Sequence, residues 1–202
     1  MRRSRVKVIG VTGGVGAGKS TVLNYIEKSC NCRIIFSDKV ANDIKLKGQS
    51  CYEPIVDLLS EDILGPDGEI DKKKMAAKIF ADDSLLKQVN DILHPAVNNY
   101  IFGEIEKEKA EGKLDYLFIE AALLIENGYH KIVDELWYIY ADESVRRKRL
   151  KESRGYSDEK IDDIIKGQLS DEEFRKYASF VIDNSNDEND TKRQIDLKLG
   201  EN

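Results

Sequence analysis

The run Gly13-Gly14-Val15-Gly16-Ala17-Gly18-Lys19-Ser20 satisfies G-x-x-x-x-G-K-[ST] at every fixed position. Residues 6–11 before it form an apolar run that reads as a buried strand. Thr21-Val22-Leu23-Asn24-Tyr25-Ile26 after it reads as the opening of a helix. A glycine-rich loop between strand and helix lets the backbone curl, so that successive N–H groups and the positive helix end converge on one anion. In that arrangement Gly14, Val15, Gly16, Ala17, Gly18, Lys19, Ser20 and Thr21 surround nucleotide phosphates. Lys19 reaches the β- and γ-phosphates, and the Ser20 hydroxyl sits on Mg²⁺. The motif implies a site for a nucleoside triphosphate.

Further short apolar runs lie at 34–36, 114–119, 136–140 and 180–182, with helix-length segments between them. Strands alternating with helices predict an α/β fold, a doubly wound five-stranded parallel sheet whose ligands bind at the carboxyl strand ends. The gap from the second strand to the third is too long for one crossover helix, and residues 39–112 read as a helical insertion for substrate. Within it a helix is expected to start at Asp71 as N-cap, and another near Ser84. His94-Pro95 should break or kink the latter, with a third helix from Ala96 towards Lys109. A second insertion holds a basic helix over 143–153, closed by Gly155, and a helix capped by Ser157. This is the expected helical lid. The polar tail beyond Asn184 ends in a weak helix through Ile195, Leu197 and Leu199.

The 202 residues suffice for one core of ordinary size, and 41% hydrophobic with 35% charged residues suits a soluble globular chain. A net charge of −6 argues against non-specific nucleic-acid binding, and no apolar run is long enough to span a bilayer. The basic start, Met1-Arg2-Arg3-Ser4-Arg5, lacks the features of a signal peptide. Three cysteines, Cys30, Cys32 and Cys51, suit reduced thiols in a cytoplasm, and Cys30-Asn31-Cys32 has no second ligand pair with which to hold a metal.

Asp38 follows the second strand, where a carboxylate can accept the proton of an attacking hydroxyl; it equally suits the N-cap of a helix starting at Lys39. Glu120 closes the third strand, either organising Mg²⁺ or merely marking the strand exit, and Glu126 is a weaker candidate of the same kind. Arg146, Arg147, Lys148, Arg149, Lys151 and Arg154 form either a solvated basic face or a lid that neutralises phosphoryl charge. Arg146 and Arg149 share one face. His94 before its proline reads as a local backbone partner or a functional group, and His130 has less context.

Taken together, Gly10 to Thr21, Ser37-Asp38-Lys39-Val40-Ala41, Leu93-His94-Pro95-Ala96-Val97, Glu120-Ala121-Ala122-Leu123-Leu124-Ile125-Glu126, the basic run with Gln168, and Val181-Ile182-Asp183-Asn184 carry a resemblance. Over nearly its whole length the chain resembles the dephospho-coenzyme A kinase family. The resemblance implies a nucleotide-binding core (1–38, 113–142, 178–202), a helical acceptor domain (39–112) and a lid (143–177). It implies transfer of the γ-phosphoryl of ATP, with Mg²⁺, to the ribose 3′-hydroxyl of dephospho-coenzyme A, the last step of coenzyme A synthesis. Asp38, Lys19 and Arg149 match catalytic positions. Arg149 and Asn184 match the ATP side, with Asn184 at the adenine. Thr12, Asp38, His94, Leu123 and Leu124 match the acceptor side, and Ser20 with Glu120 the metal. The expected partners are ATP and dephospho-coenzyme A, with no nucleic acid and no membrane, for a cytoplasmic monomer or small homo-oligomer.

The sequence departs from the family pattern at Phe36, Asn98, Glu120, Ala122, Arg146 and Ser179, where an acid, an arginine, an aspartate, a proline, a glutamine and an aspartate are usual. Several departures fall on or near the acceptor side. A divergent kinase of another nucleotide-like hydroxyl is therefore a second reading. A regulatory nucleotide switch is a third, opposed by the absence of an N-K-x-D signature and by the helical insertion.

Overall fold

The computed structural model describes residues 6–201; the basic start and residue 202 lie outside the described residues. In chain order the elements are β1 (Lys7–Thr12), α1 (Lys19–Ser29), β2 (Cys32–Phe36), α2 (Ser37–Asp43), α3 (Tyr52–Leu59), α4 (Lys72–Phe80) and α5 (Asp83–Glu111). There follow β3 (Tyr116–Glu120), β4 (Glu135–Tyr140), α6 (Glu143–Arg154), α7 (Asp158–Lys166), α8 (Asp171–Tyr177), β5 (Phe180–Asp183) and α9 (Glu188–Gly200). The five strands make one sheet in the order β2-β3-β1-β4-β5, with β1 parallel to β3 and β4, and β4 parallel to β5. It is the predicted five-stranded parallel sheet of an α/β fold.

Because β1 is central, both of its faces are covered. Val8, Ile9 and Val11 are fully buried, each contributing roughly 1.5–3 kcal/mol of hydrophobic stabilisation. That is why residues 8–11 read as an unbroken apolar run rather than an alternating one. Phe118, Trp137 and Phe180, on successive strands, pack edge to face at ring separations of 5.5 and 5.2 Å. The Trp137 ring nitrogen donates to Glu135 at 2.8 Å, so the indole is buried without an orphaned donor. The last helix packs Ile195 into the same core.

The chain forms two compact units. Among the described residues one combines 6–34 with 108–201, and the other is 35–107. In the second unit Ile55, Leu59 and Ile63 are fully buried. The expected cap at Asp71 is present, its carboxylate accepting the backbone N–H groups of Lys73 and Lys74 at 2.8 and 3.1 Å. Two expectations are corrected. First, α5 runs uninterrupted through Pro95, so there is no break at His94-Pro95 and no separate third helix. The proline removes one backbone donor, but buried Val89, Val97, Ile101 and Ile105 hold the helix on both sides of it. Second, α2 starts at Ser37 with Phe36 as N-cap, so Asp38 lies in the first turn and is not the cap.

Cys30 and Cys32 both point their sulfurs at the Ile26 carbonyl, at 3.4 and 3.9 Å. Burial raises the pKa of both thiols, and that of Cys32 is pushed up to about 12. A raised pKa leaves little thiolate at neutral pH, and the thiolate is the reactive species. Iodoacetamide at pH 8 is therefore expected to label these two at least about tenfold more slowly in the folded chain than in urea. Mass spectrometry of the labelled peptides checks this, and equal rates would contradict it.

Candidate functional site

The P-loop leaves β1 at the middle of the sheet and enters α1 at Lys19. Gly18, the N-cap of α1, is left-handed at φ 90° and offers no side-chain cap. A side chain is excluded there on two grounds, the backbone conformation and a clash with Asn184 Nδ2. An α-helix without an N-cap side chain presents its first N–H groups and its positive dipole end to an incoming anion.

The carbonyls of the loop are held by other groups. Lys19 Nζ donates to the Gly13 carbonyl at 2.6 Å, and the Ala17 N–H donates to the Gly14 carbonyl at 3.1 Å. Arg146 Nε donates to the Val15 carbonyl at 2.9 Å. The Ala17 carbonyl accepts from Asn184 Nδ2 at 2.7 Å and from Arg149 Nη1 at 3.3 Å. Among the described residues, the N–H groups of Gly16, Gly18 and Ser20 have no acceptor within the chain. With the carbonyls of Gly13, Gly14, Val15 and Ala17 engaged and these N–H groups available, the loop has the form of a nest for phosphate oxygens.

The basic helix α6 divides its charges between two tasks. Arg147 pairs with Glu143 at 2.8 Å and with Asp162, and Lys151 pairs with Asp158 at 2.6 Å, forming the solvated face. Arg146 and Arg149, three residues apart, turn to the P-loop. Arg149 also donates through Nη2 to the Asn184 carbonyl at 2.9 Å. Asn184 is buried, and its Oδ1 accepts from the Thr191 hydroxyl at 3.0 Å. Both ends of that amide therefore bind protein.

Glu120 is half-buried at the end of β3 and pairs in register with Val11, two residues before the P-loop. Ser20 is exposed in the first turn of α1. No cluster of three or more His, Cys, Asp or Glu able to hold a metal occurs among the described residues. A hydroxyl and a carboxylate are hard oxygen donors of the kind that Mg²⁺ takes alongside waters and substrate phosphate oxygens.

Thr12, at the end of β1, is fully buried, and its hydroxyl has no partner among the described residues. Of the paired leucines, Leu123 is 51% exposed, whereas Leu124 is fully buried with its methyl groups against Gly10. In the 35–107 unit, Asp38 and His94 are exposed. The Asp38 carboxylate makes no hydrogen bond or ion pair among the described residues; its backbone carbonyl accepts from the Asn42 amide at 2.8 Å. Sequence reasoning assigned no role to Gln168, whose Oε1 accepts the Val15 N–H at 3.2 Å. A lone glutamine some 150 positions away carries no local signal of that contact.

The sequence pattern of the dephospho-CoA kinase family matches residues 7–190. The chain belongs to the dephospho-CoA kinase family. The dephospho-CoA kinase of Aquifex aeolicus is 37% identical over 94% of this chain and 94% of its own. That of Carboxydothermus hydrogenoformans is 35% identical over 93% of this chain and 90% of its own. Among solved structures, the dephospho-CoA kinase from Campylobacter jejuni superposes with a TM-score of 0.72 at 26% identity, over 96% of this chain and 95% of that one. Family membership makes this chain a kinase that uses a nucleotide phosphoryl donor.

The Asn184 contacts generate a stability prediction. Asn184→Ala strips one donor from a buried loop carbonyl and one acceptor from a buried hydroxyl, and should cost about 1–3 kcal/mol. Urea denaturation measures it; an unchanged midpoint would mean that the amide does not brace the loop.

Proposed function

We propose that this chain transfers the γ-phosphoryl group of ATP to the ribose 3′-hydroxyl of dephospho-coenzyme A, completing coenzyme A synthesis. The observation that carries the reading is the P-loop, its carbonyls tied back by Lys19, Arg146, Arg149 and Asn184, in a chain that belongs to this kinase family. Residues 143–177 act as a lid that excludes water, residues 39–112 bind the acceptor, and the remaining segments form the nucleotide core.

In the proposed reaction the acceptor 3′-oxygen attacks the γ-phosphorus, the bond to the β,γ-bridging oxygen breaks, and ADP leaves. Asp38, exposed in the first turn of α2, accepts the hydroxyl proton and passes it to solvent. Lys19 exchanges the Gly13 carbonyl for the β- and γ-phosphate oxygens, and Arg149 offsets charge on the transferring group. Gly14, Val15, Gly16, Ala17, Gly18, Ser20 and Thr21 cradle the phosphates, and Asn184 borders the adenine. Ser20 and Glu120 would hold Mg²⁺, which when bound would supply positive charge to offset that of the phosphates. Thr12, His94, Leu123 and Leu124 are assigned to the acceptor side. The orphaned Thr12 hydroxyl supports its part, since a buried hydroxyl without a protein partner is costly unless a ligand or water meets it.

No helix among the described residues is long and apolar enough to cross a membrane. The reading is of a cytoplasmic enzyme acting on small molecules, as a monomer or small homo-oligomer, and on neither nucleic acid nor membrane; the acidic net charge weighs against nucleic acid.

Asp38→Ala should lower turnover by about 10²-fold or more while leaving Mg·ATP affinity within about twofold. Steady-state kinetics alongside calorimetric titration distinguishes the two effects; near-normal turnover would remove Asp38 from the chemistry. Acceptor identity is tested by ADP release from Mg·ATP with and without dephospho-coenzyme A, the product being weighed by mass spectrometry. Stimulated release with one phosphoryl added to the acceptor is expected. No stimulation would overturn the acceptor, and the departures at Phe36, Asn98 and Ala122 would mark where a different substrate is selected.

A further inference from the structure

The Arg146 guanidinium lies directly on the P-loop. A Cβ added at Gly14 would come within 2.5 Å of its Nη2 and 2.6 Å of its Cζ. Its Nε donates to the Val15 carbonyl at 2.9 Å, and its Nη2 donates to Gln168 Oε1 at 2.8 Å. The same Gln168 oxygen accepts the Val15 N–H at 3.2 Å. Both backbone polar groups of Val15 are thus engaged by two side chains, and those side chains bind one another. Arg146 is half-buried, so these bonds are charge-assisted and only partly screened by solvent.

We infer that Arg146 is a positioning residue for the nucleotide, which with Gln168 fixes the Val15 peptide and so presets the phosphate-facing N–H groups of the loop. The inference rests on the reading that this loop takes nucleotide phosphates. A closed set of three bonds holds the loop to α6 and to the turn after α7, coupling the cradle's shape to the helical segment 143–177. The geometry calls for a planar fork, because two donors at fixed separation must reach a carbonyl and an amide oxygen together. A lysine's single ammonium at that position cannot reproduce both bonds in the same geometry. Arg146 is also free of the acidic neighbours that occupy Arg147, which leaves it available for this role. The Gly14 contact adds a steric condition, since only glycine leaves room for the guanidinium there.

The test is calorimetric titration of Mg·ADP into the wild-type chain, Arg146→Ala, Arg146→Lys, Gln168→Ala and the Arg146→Ala/Gln168→Ala double variant. Each alanine variant is expected to bind ADP about tenfold more weakly, Arg146→Lys to recover only part of the loss, and the double variant to bind about as weakly as either single one. That non-additivity is the signature of one shared link. A purely structural role would lower the denaturation midpoint in parallel measurements without moving the ADP affinity, and would overturn the inference. So would losses that multiply in the double variant, or lysine restoring full affinity. The readout needs no acceptor, so a failed acceptor assignment leaves it intact. A wild-type chain that does not bind Mg·ADP overturns both readings.

Discussion

The nucleotide site depends on how the P-loop disposes of its carbonyl oxygens. A tight glycine-rich turn can aim its N–H groups at an anion only if its carbonyls face away and find donors of their own. Here those donors come from the loop itself, from Lys19 at the start of α1, from the arginines of α6, and from Asn184 after β5. Segments distant in sequence therefore converge on one short turn. The central place of β1, which fixes where the turn begins, follows from the burial of Val8, Ile9 and Val11.

This arrangement explains why a strongly basic helix sits in a chain of net charge −6. Arg147 and Lys151 are offset by carboxylates of α6 and α7, whereas Arg146 and Arg149 are directed at backbone carbonyls of the loop. Positive charge is thereby concentrated next to the cradle, where it favours a polyanionic ligand, and is neutralised elsewhere on the helix. Phosphoryl transfer asks for positioned positive charge more than for covalent chemistry, and this is the part that the proposed reaction gives to Arg149.

The strand pattern was legible because parallel strands covered on both faces carry uninterrupted apolar runs, and all five appear in the sheet. The caps at Asp71, Ser157 and Gly155 were equally readable, since each satisfies a local backbone need with a residue suited to it. Local rules failed at Pro95, where apolar contacts on either side outweigh one missing N–H and α5 continues. They failed by two residues at Asp38, because nothing in the residues near it says whether Phe36 or Asp38 opens the helix. At the site, the motif residues and the shared face of Arg146 and Arg149 could be read directly. The Gln168–Val15 contact, the bracing by Asn184 and the difference between Leu123 and Leu124 could not, because each is decided by long-range packing.

The most direct measurement is a crystal structure of the chain with a non-hydrolysable ATP analogue, Mg²⁺ and dephospho-coenzyme A. The account predicts the β-phosphate on the N–H groups of Gly16, Gly18 and Ser20, with the loop carbonyls still held from behind. It also predicts the ribose 3′-hydroxyl within hydrogen-bond reach of the Asp38 carboxylate, about 2.6–3.2 Å. Phosphates bound away from the loop, or an acceptor hydroxyl remote from Asp38, would contradict it.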